Sequence, residues 1–330
     1  MKVFHLPLGL LIVLSGCSSV QSVLDAQGEA AIALKNLIIF IALVAAAIWL
    51  AVVSVMVFAL VRRNGQTAGH DHRSERAMTI AVATATAATA VIVGILTVAS
   101  FYTTRALNSG GDADVTIIVR AQQWWWQFIY TSPDQKQLFQ TANELHIPVG
   151  KTVRLRLQAA DVIHSLWVPS LAGKLDLIPG RENILTLRAE RPGVYRGQCA
   201  EFCGLQHSHM AFVVLAEDDA DYQHWLAGQQ LDGAAPSAAE AIAGQSVFLA
   251  RQCAACHTIR GTPASGSTGP DLTHVGSRRT IAAGLLETTR GSLAAWIADP
   301  QTLKPGNNMP IVPLTADELR QLSAYMESLR

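Results

Sequence analysis

Two long stretches without a charged residue constrain this chain more than any other feature. Residues 36–61 hold no Asp, Glu, Lys or Arg and are dense in Leu, Ile, Val, Ala and Phe. Residues 77–104 are also uncharged, with more Ala and Thr. A helix of about 20 apolar residues crosses the hydrocarbon core of a bilayer, and both stretches exceed that. The expectation is a transmembrane hairpin with helices over 36–61 and 78–104. Composition agrees, with 50% hydrophobic and 15% charged residues and a mean hydropathy of +0.27 over 330 residues. That apolar content excludes a disordered chain. The net charge of zero excludes the basic surface of a nucleic-acid binder, so no nucleic-acid partner is expected.

The amino end reads as an export signal: Lys2, an apolar run over 6–14, then Leu14-Ser15-Gly16-Cys17. The run is too short to span. It resembles a bacterial lipoprotein signal over 1–16, which implies cleavage before Cys17 and lipid on its sulfur. An ordinary signal peptide with an incidental Cys is the alternative. Residues 17–35 follow as an external segment. The loop over 62–77 carries Arg62, Arg63, Arg73 and Arg76, against Lys35 and Arg105 on the outer flanks. Excess positive charge marks the cytoplasmic side, so both ends face outward, as an export signal also requires. Neither span contains a histidine, so no intramembrane haem is expected on this chain.

From about residue 112 the texture changes. Residues 152–157 alternate polar and apolar, and 115–119, 184–187 and 211–215 are further short strand candidates, punctuated by Pro133, Pro148, Pro169, Pro179 and Pro192. This pattern predicts an all-β sandwich or barrel. Within it, Cys199, Cys203, His207 and Met210 fall in twelve residues, and His164 follows a strand upstream. Thiolate and thioether are soft donors that favour copper. Two cysteines so close can bridge two ions, each then needing a terminal imidazole. A Cys199–Cys203 disulfide, or a zinc site using both cysteines, His164 and His207, are the competing readings, and His209 is a rival to His207.

Residues 228–240 are rich in Gly, Ala, Pro and Ser and read as a linker that leaves the last domain free to move. Cys253-Ala-Ala-Cys256-His257 is the haem c attachment signature, with His257 as proximal ligand. Met309 is the expected second axial ligand and His274 its rival; a Met/His pair raises the potential and suits electron transfer. Helices are expected over 241–249 and 315–329, the second opened by a capping box from Thr315 to Glu318. All five cysteines then have a use: Cys17 for lipid, Cys199 and Cys203 for copper, Cys253 and Cys256 for haem.

The run Cys199-x-Glu201-x-Cys203-Gly204-x-x-His207-x-x-Met210 resembles the binuclear copper (CuA) motif of cytochrome c oxidase subunit II. So do Asp161-Val162-x-His164-Ser165, Lys174-x-Asp176-x-x-Pro179-Gly180-Arg181, and Gln123-Trp124-Trp125-Trp126. The whole chain resembles a subunit II with a cytochrome c fused at its carboxyl end, the caa type. The resemblance implies a multidomain membrane protein: a two-helix transmembrane hairpin, an all-β cupredoxin-like domain over 112–227 and an all-α class I cytochrome c domain over 241–330. It implies that Cys199 and Cys203 bridge two coppers. His164 and His207 are then terminal ligands, Met210 ligates one copper and the backbone carbonyl of Glu201 the other. The Glu201 side chain is to reach an interfacial Mg, and Trp124 is the point of electron entry. Glu75 resembles an acidic residue at a proton-uptake mouth. The implied activity is that of an oxidoreductase and translocase whose oxygen-reducing site is on another subunit. Electrons pass from an external cytochrome c or other respiratory donor through haem c and CuA to haem in subunit I, where oxygen is reduced to water with proton pumping. The implied partners are subunit I, subunit III and membrane lipid, at a bacterial inner membrane with the copper and haem domains on the periplasmic face. A CuA-containing nitric oxide reductase subunit is the alternative; a copper-free quinol oxidase subunit and a free membrane-anchored cytochrome are more distant ones.

Overall fold

The computed structural model describes residues 21–62, 72–108, 112–132, 134 and 136–330. Cys17, the expected signal over 1–16 and Arg63 of the connecting loop lie outside the described residues. The chain forms two compact units, one of residues 32–109 and the other of the preceding residues with 110–330.

Both uncharged stretches are helical, α1 over Glu29–Arg62 and α2 over His72–Asn108. Each is long and apolar enough to cross a membrane. At 1.5 Å per residue the 34 residues of α1 run about 50 Å, well beyond a hydrocarbon core of roughly 30 Å. The helices therefore exceed the expected spans. α1 starts at Glu29 rather than residue 36, and α2 takes in residues expected in the 62–77 loop. Good helix formers explain the extensions: Glu29-Ala30-Ala31 opens α1, and Glu75, Arg76 and Ala77 lead α2 into its apolar part. In α2 the hydroxyls of Thr79, Thr89 and Thr97 donate to carbonyls four residues earlier at 2.8–2.9 Å. That hides their polarity where no water is on hand.

The second unit opens with a ten-stranded sandwich. Its strands are β1 Val115–Gln122, β2 Trp125–Thr131, β3 Gln137–Ala142, β4 Glu144–Pro148, β5 Val153–Ala159, β6 His164–Trp167, β7 Leu175–Leu177, β8 Asn183–Leu187, β9 Gly193–Cys199 and β10 Ala211–Glu217. One sheet runs β3-β2-β1-β5-β8 and the other β4-β10-β9-β6-β7. Pairing is antiparallel except between β1 and β5 and between β4 and β10. The alternation read in residues 152–157 is realised in β5, where Val153, Leu155 and Leu157 are fully buried and the arginines between them are not. Trp126, Phe128 and Phe212 pack ring against ring between the sheets. Helix α3, Asp219–Gln230, closes the sandwich. The sequence reading had no helix there, although Tyr222, Trp225 and Leu226 have helical spacing, and the expected linker is shortened to residues 231–238.

The last ninety residues are helical: α4 Ala239–Ala250, α5 Arg290–Ala298, α6 Pro300–Leu303 and α7 Ala316–Ser328, with a small hairpin of β11 Thr280–Ile281 and β12 Leu286–Glu287. The capping box is formed, Thr315 Oγ1 accepting from the Glu318 N–H and Glu318 from the Thr315 N–H. α4 crosses α7 at Gly244, where a Cβ would lie 2.1 Å from the Gln321 carbonyl oxygen. Phe248, Leu293, Leu322, Tyr325 and Met326 form this domain's own core.

Candidate functional site

The ligand cluster is assembled by neighbouring strands. β6 pairs with β9 so that Leu166 lies opposite Cys199, which brings His164, at the start of β6, beside the end of β9. The loop that follows is closed at its neck by the Cys199 N–H donating to the Met210 carbonyl at 2.9 Å. Within it the two sulfurs stand 3.8 Å apart. His164 Nδ1 is 3.9 Å from Cys199 Sγ, and His207 Nδ1 is 3.7 Å from Cys203 Sγ. Met210 Sδ is 3.8 Å from Cys203 Sγ, and the Glu201 carbonyl oxygen is 3.2 Å from Cys199 Sγ. All six residues named from the sequence thus meet in one place. Both thiols are free, and 3.8 Å is far from the roughly 2.05 Å of a disulfide. His209 is exposed and turns its Nδ1 to Gln206 Oε1 at 3.0 Å, which removes it as rival to His207.

The cluster stabilises one thiolate. The Cys203 contact, followed by those with His164 and the Glu201 carbonyl, pulls the Cys199 thiol down to about 3 against the opposing effect of burial. Cys203 is raised, because a neighbouring thiolate and burial both resist a second negative charge. His164, fully buried, has its Nε2 2.8 Å from Asp161 Oδ1, which orients the ring with Nδ1 toward the sulfurs. Burial alone would lower His164; the Cys199 and Asp161 contacts together raise it.

Trp124 adjoins this cluster. Its indole N–H donates to the Cys203 carbonyl at 2.9 Å, and Gln123 Nε2 donates to the same oxygen at 2.7 Å. Trp124 and Trp125, with Gln123, Ala142 and Asn143, also line a cavity whose remaining walls come from the helical domain, among them Cys256, His257, Trp296 and Met309. His257 is held by its Nδ1 donating to the Pro270 carbonyl at 2.8 Å, which leaves Nε2 free. Gly269 lets the ring sit there: a Cβ would lie 2.6 Å from His257 Cε1. Burial lowers the His257 pKa and keeps the imidazole neutral, the state that binds metal. Cys253 packs against the domain core, one turn from Cys256. The rival His274 is not on the cavity wall; its Nε2 lies 3.2 Å from both the Leu231 carbonyl and Arg260 Nη2.

Residues 131–217 match the family model described as cytochrome c oxidase subunit II, periplasmic domain, and residues 241–330 match that of cytochrome c. Cytochrome c oxidase subunit 2 of Bacillus sp. (strain PS3) is 32% identical over 251 residues, covering 72% of this chain and 68% of that protein. The chain belongs to the cytochrome c oxidase subunit II family. The corresponding subunit of Alkalihalophilus pseudofirmus is 41% identical over 221 residues, covering 67% of this chain and 63% of the relative. The chain spans roughly two thirds of the length of these curated relatives. The crystal structure of the periplasmic domain of subunit II of cytochrome oxidase of Bradyrhizobium japonicum is 31% identical. It covers 36% of this chain and 96% of its own, at a TM-score of 0.34.

In this family the β domain is cupredoxin-like and implies CuA copper, and the helical domain is a cytochrome c that implies haem c. The residues present fit both groups. Two thiolates, two imidazoles, a thioether and a carbonyl are more donors than one tetrahedral zinc takes, and they are soft enough for copper. The cavity wall carries Cys256 of the Cys-x-x-Cys-His signature, His257 and the Met309 thioether. Two further residues join the domains around these ligands. Lys304 donates through Nζ to the Trp124 carbonyl at 2.6 Å, and Glu144 accepts the Arg279 N–H at 2.8 Å. No motif flags either residue, since each matters only once the two domains touch.

Proposed function

We propose that this chain is the electron-input subunit of a cytochrome c oxidase, taking electrons from an external cytochrome c or other respiratory donor and delivering them to haem in subunit I. In that reading oxygen is reduced to water there, with proton pumping, and subunit III completes the complex. When bound, haem c and the copper pair would each supply one-electron redox chemistry. Cys253 and Cys256 tether the porphyrin. His257, steadied by the Pro270 carbonyl, and Met309, on the same cavity wall, would hold the haem iron. Cys199, Cys203, His164, His207, Met210 and the Glu201 carbonyl would hold two coppers. The Glu201 carboxylate, half-buried and 3.5 Å from Lys174 Nζ, would be the group offered to an interfacial Mg. The helices α1 and α2 hold the chain in the inner membrane with both domains on the periplasmic face, aided by lipid on Cys17. The observation that carries the proposal is Trp124: one indole both lines the haem cavity and hydrogen-bonds to the peptide of a copper-ligating Cys.

The test is purification of the complex with metal and haem quantitation. Two coppers and one covalent haem are expected on this polypeptide. Cys199→Ser should abolish the mixed-valence copper resonance and leave the haem c spectrum intact. A copper signal that survives the substitution would refute the bridge.

A further inference from the structure

One buried lysine takes no part in that electron path. Lys304 follows α6 and is 3% exposed, yet no carboxylate is among the groups acting on it. Its Nζ lies 2.6 Å from the Trp124 carbonyl oxygen of the β domain and 3.5 Å from the Ala282 carbonyl of its own. Its stem lines the same cavity as His257 and Met309. Burying an amine with no carboxylate beside it is costly, and a Met of similar volume would fill the space without that cost. What Lys304 supplies and Met would not is the pair of donated hydrogen bonds, one of which crosses the domain boundary.

The surrounding contacts share this direction. Gln206 Nε2, from the copper loop, donates to the Pro305 carbonyl at 2.8 Å. The Ala211 N–H donates to the Ala283 carbonyl at 3.0 Å. The segment bearing Lys304 and Met309 is thus laid on the segment bearing Trp124 and on the loop bearing Cys203. We propose that Lys304 is a positioning residue that clasps the cytochrome domain to the main chain of Trp124, and so sets the gap an electron crosses between the haem cavity and the copper loop. This rests on the electron-relay reading. Tunnelling falls exponentially with distance, so a contact that holds this gap governs the rate without touching either centre.

The experiment uses the purified oxidase complex, wild type and Lys304→Met. Haem c is reduced by flash excitation of an added ruthenium photoreductant with a sacrificial amine donor, and its electron is followed optically to copper. Hydrogen exchange is read in parallel over 123–126 and 304–309. K304M should keep the covalent haem and its axial-ligand spectrum, slow the haem-to-copper step by roughly tenfold or more, as displaced reacting partners do, and raise exchange in both segments together. Lys304→Arg, which keeps a donor cation, should recover part of the rate. A K304M rate equal to wild type would overturn the clasp while leaving the relay standing. Failure of the wild type itself to pass the electron to copper would overturn the relay. Should K304M not accumulate, the wild type still decides: segments 123–126 and 304–309 are expected to be protected to the same degree, and independent exchange refutes the clasp.

Discussion

At the scale of single residues, His146 carries the clearest pH dependence away from the metal ligands. It is buried in β4, with Nδ1 2.8 Å from Glu217 Oε2, Nε2 3.1 Å from Glu144 Oε1 and its ring stacked on Trp225. The Tyr130 hydroxyl accepts its N–H and donates to its carbonyl. Burial pulls its pKa down, but the two carboxylates more than offset that and leave it above the usual 6.5. A His raised on folding contributes stability that is complete below its unfolded pKa and is lost as pH rises through the folded value. The gap in melting temperature between wild type and His146→Gln should therefore be widest near pH 6 and narrow on the alkaline side. A gap that widens with rising pH would reverse the assignment. The motif residues were legible because chemistry fixes their spacing: Cys199, Cys203, His207 and Met210 sit on one loop. His146 was not legible, because two of its partners, Glu217 and Trp225, lie on β10 and α3, far along the chain.

At the scale of elements, most of the secondary structure follows from local pattern, and its ends do not. The capping box of α7 was readable as Thr315-Ala316-Asp317-Glu318, and both of its hydrogen bonds form. Thr315→Ala should lower the stability of the cytochrome domain by about 1 kcal/mol, measured by thermal melting followed at the haem band. An unchanged melting point would mean the cap is replaced by solvent at no cost. Helix α3 escaped the sequence reading because only three apolar residues mark its inner face. Its Trp225 becomes decisive only where Tyr130, Phe139 and His146 meet it.

For the whole extramembrane unit, the structure departs from the expectation of a freely moving cytochrome. Residues 231–233 are bound along it, with the Gly233 N–H donating to the Arg260 carbonyl and His274 Nε2 near that of Leu231. The cytochrome is then held to the sandwich at two ends, by Lys304 on Trp124 and by the Arg279 N–H on Glu144. Cleavage at a protease site placed within the exposed residues 234–238 should therefore leave the haem-bearing fragment eluting with the complex in size-exclusion chromatography. Immediate release would mean the tether alone holds it.

Composition and motif determined that this chain has two apolar spans, a loop of soft ligands and a haem attachment signature, because lipid, copper and haem each demand particular side chains at short spacing. Only the tertiary structure decided how the two outer domains meet. A buried lysine on a tryptophan carbonyl and a glutamate on a backbone N–H join residues 180 and 135 positions apart, and no local pattern encodes such a contact.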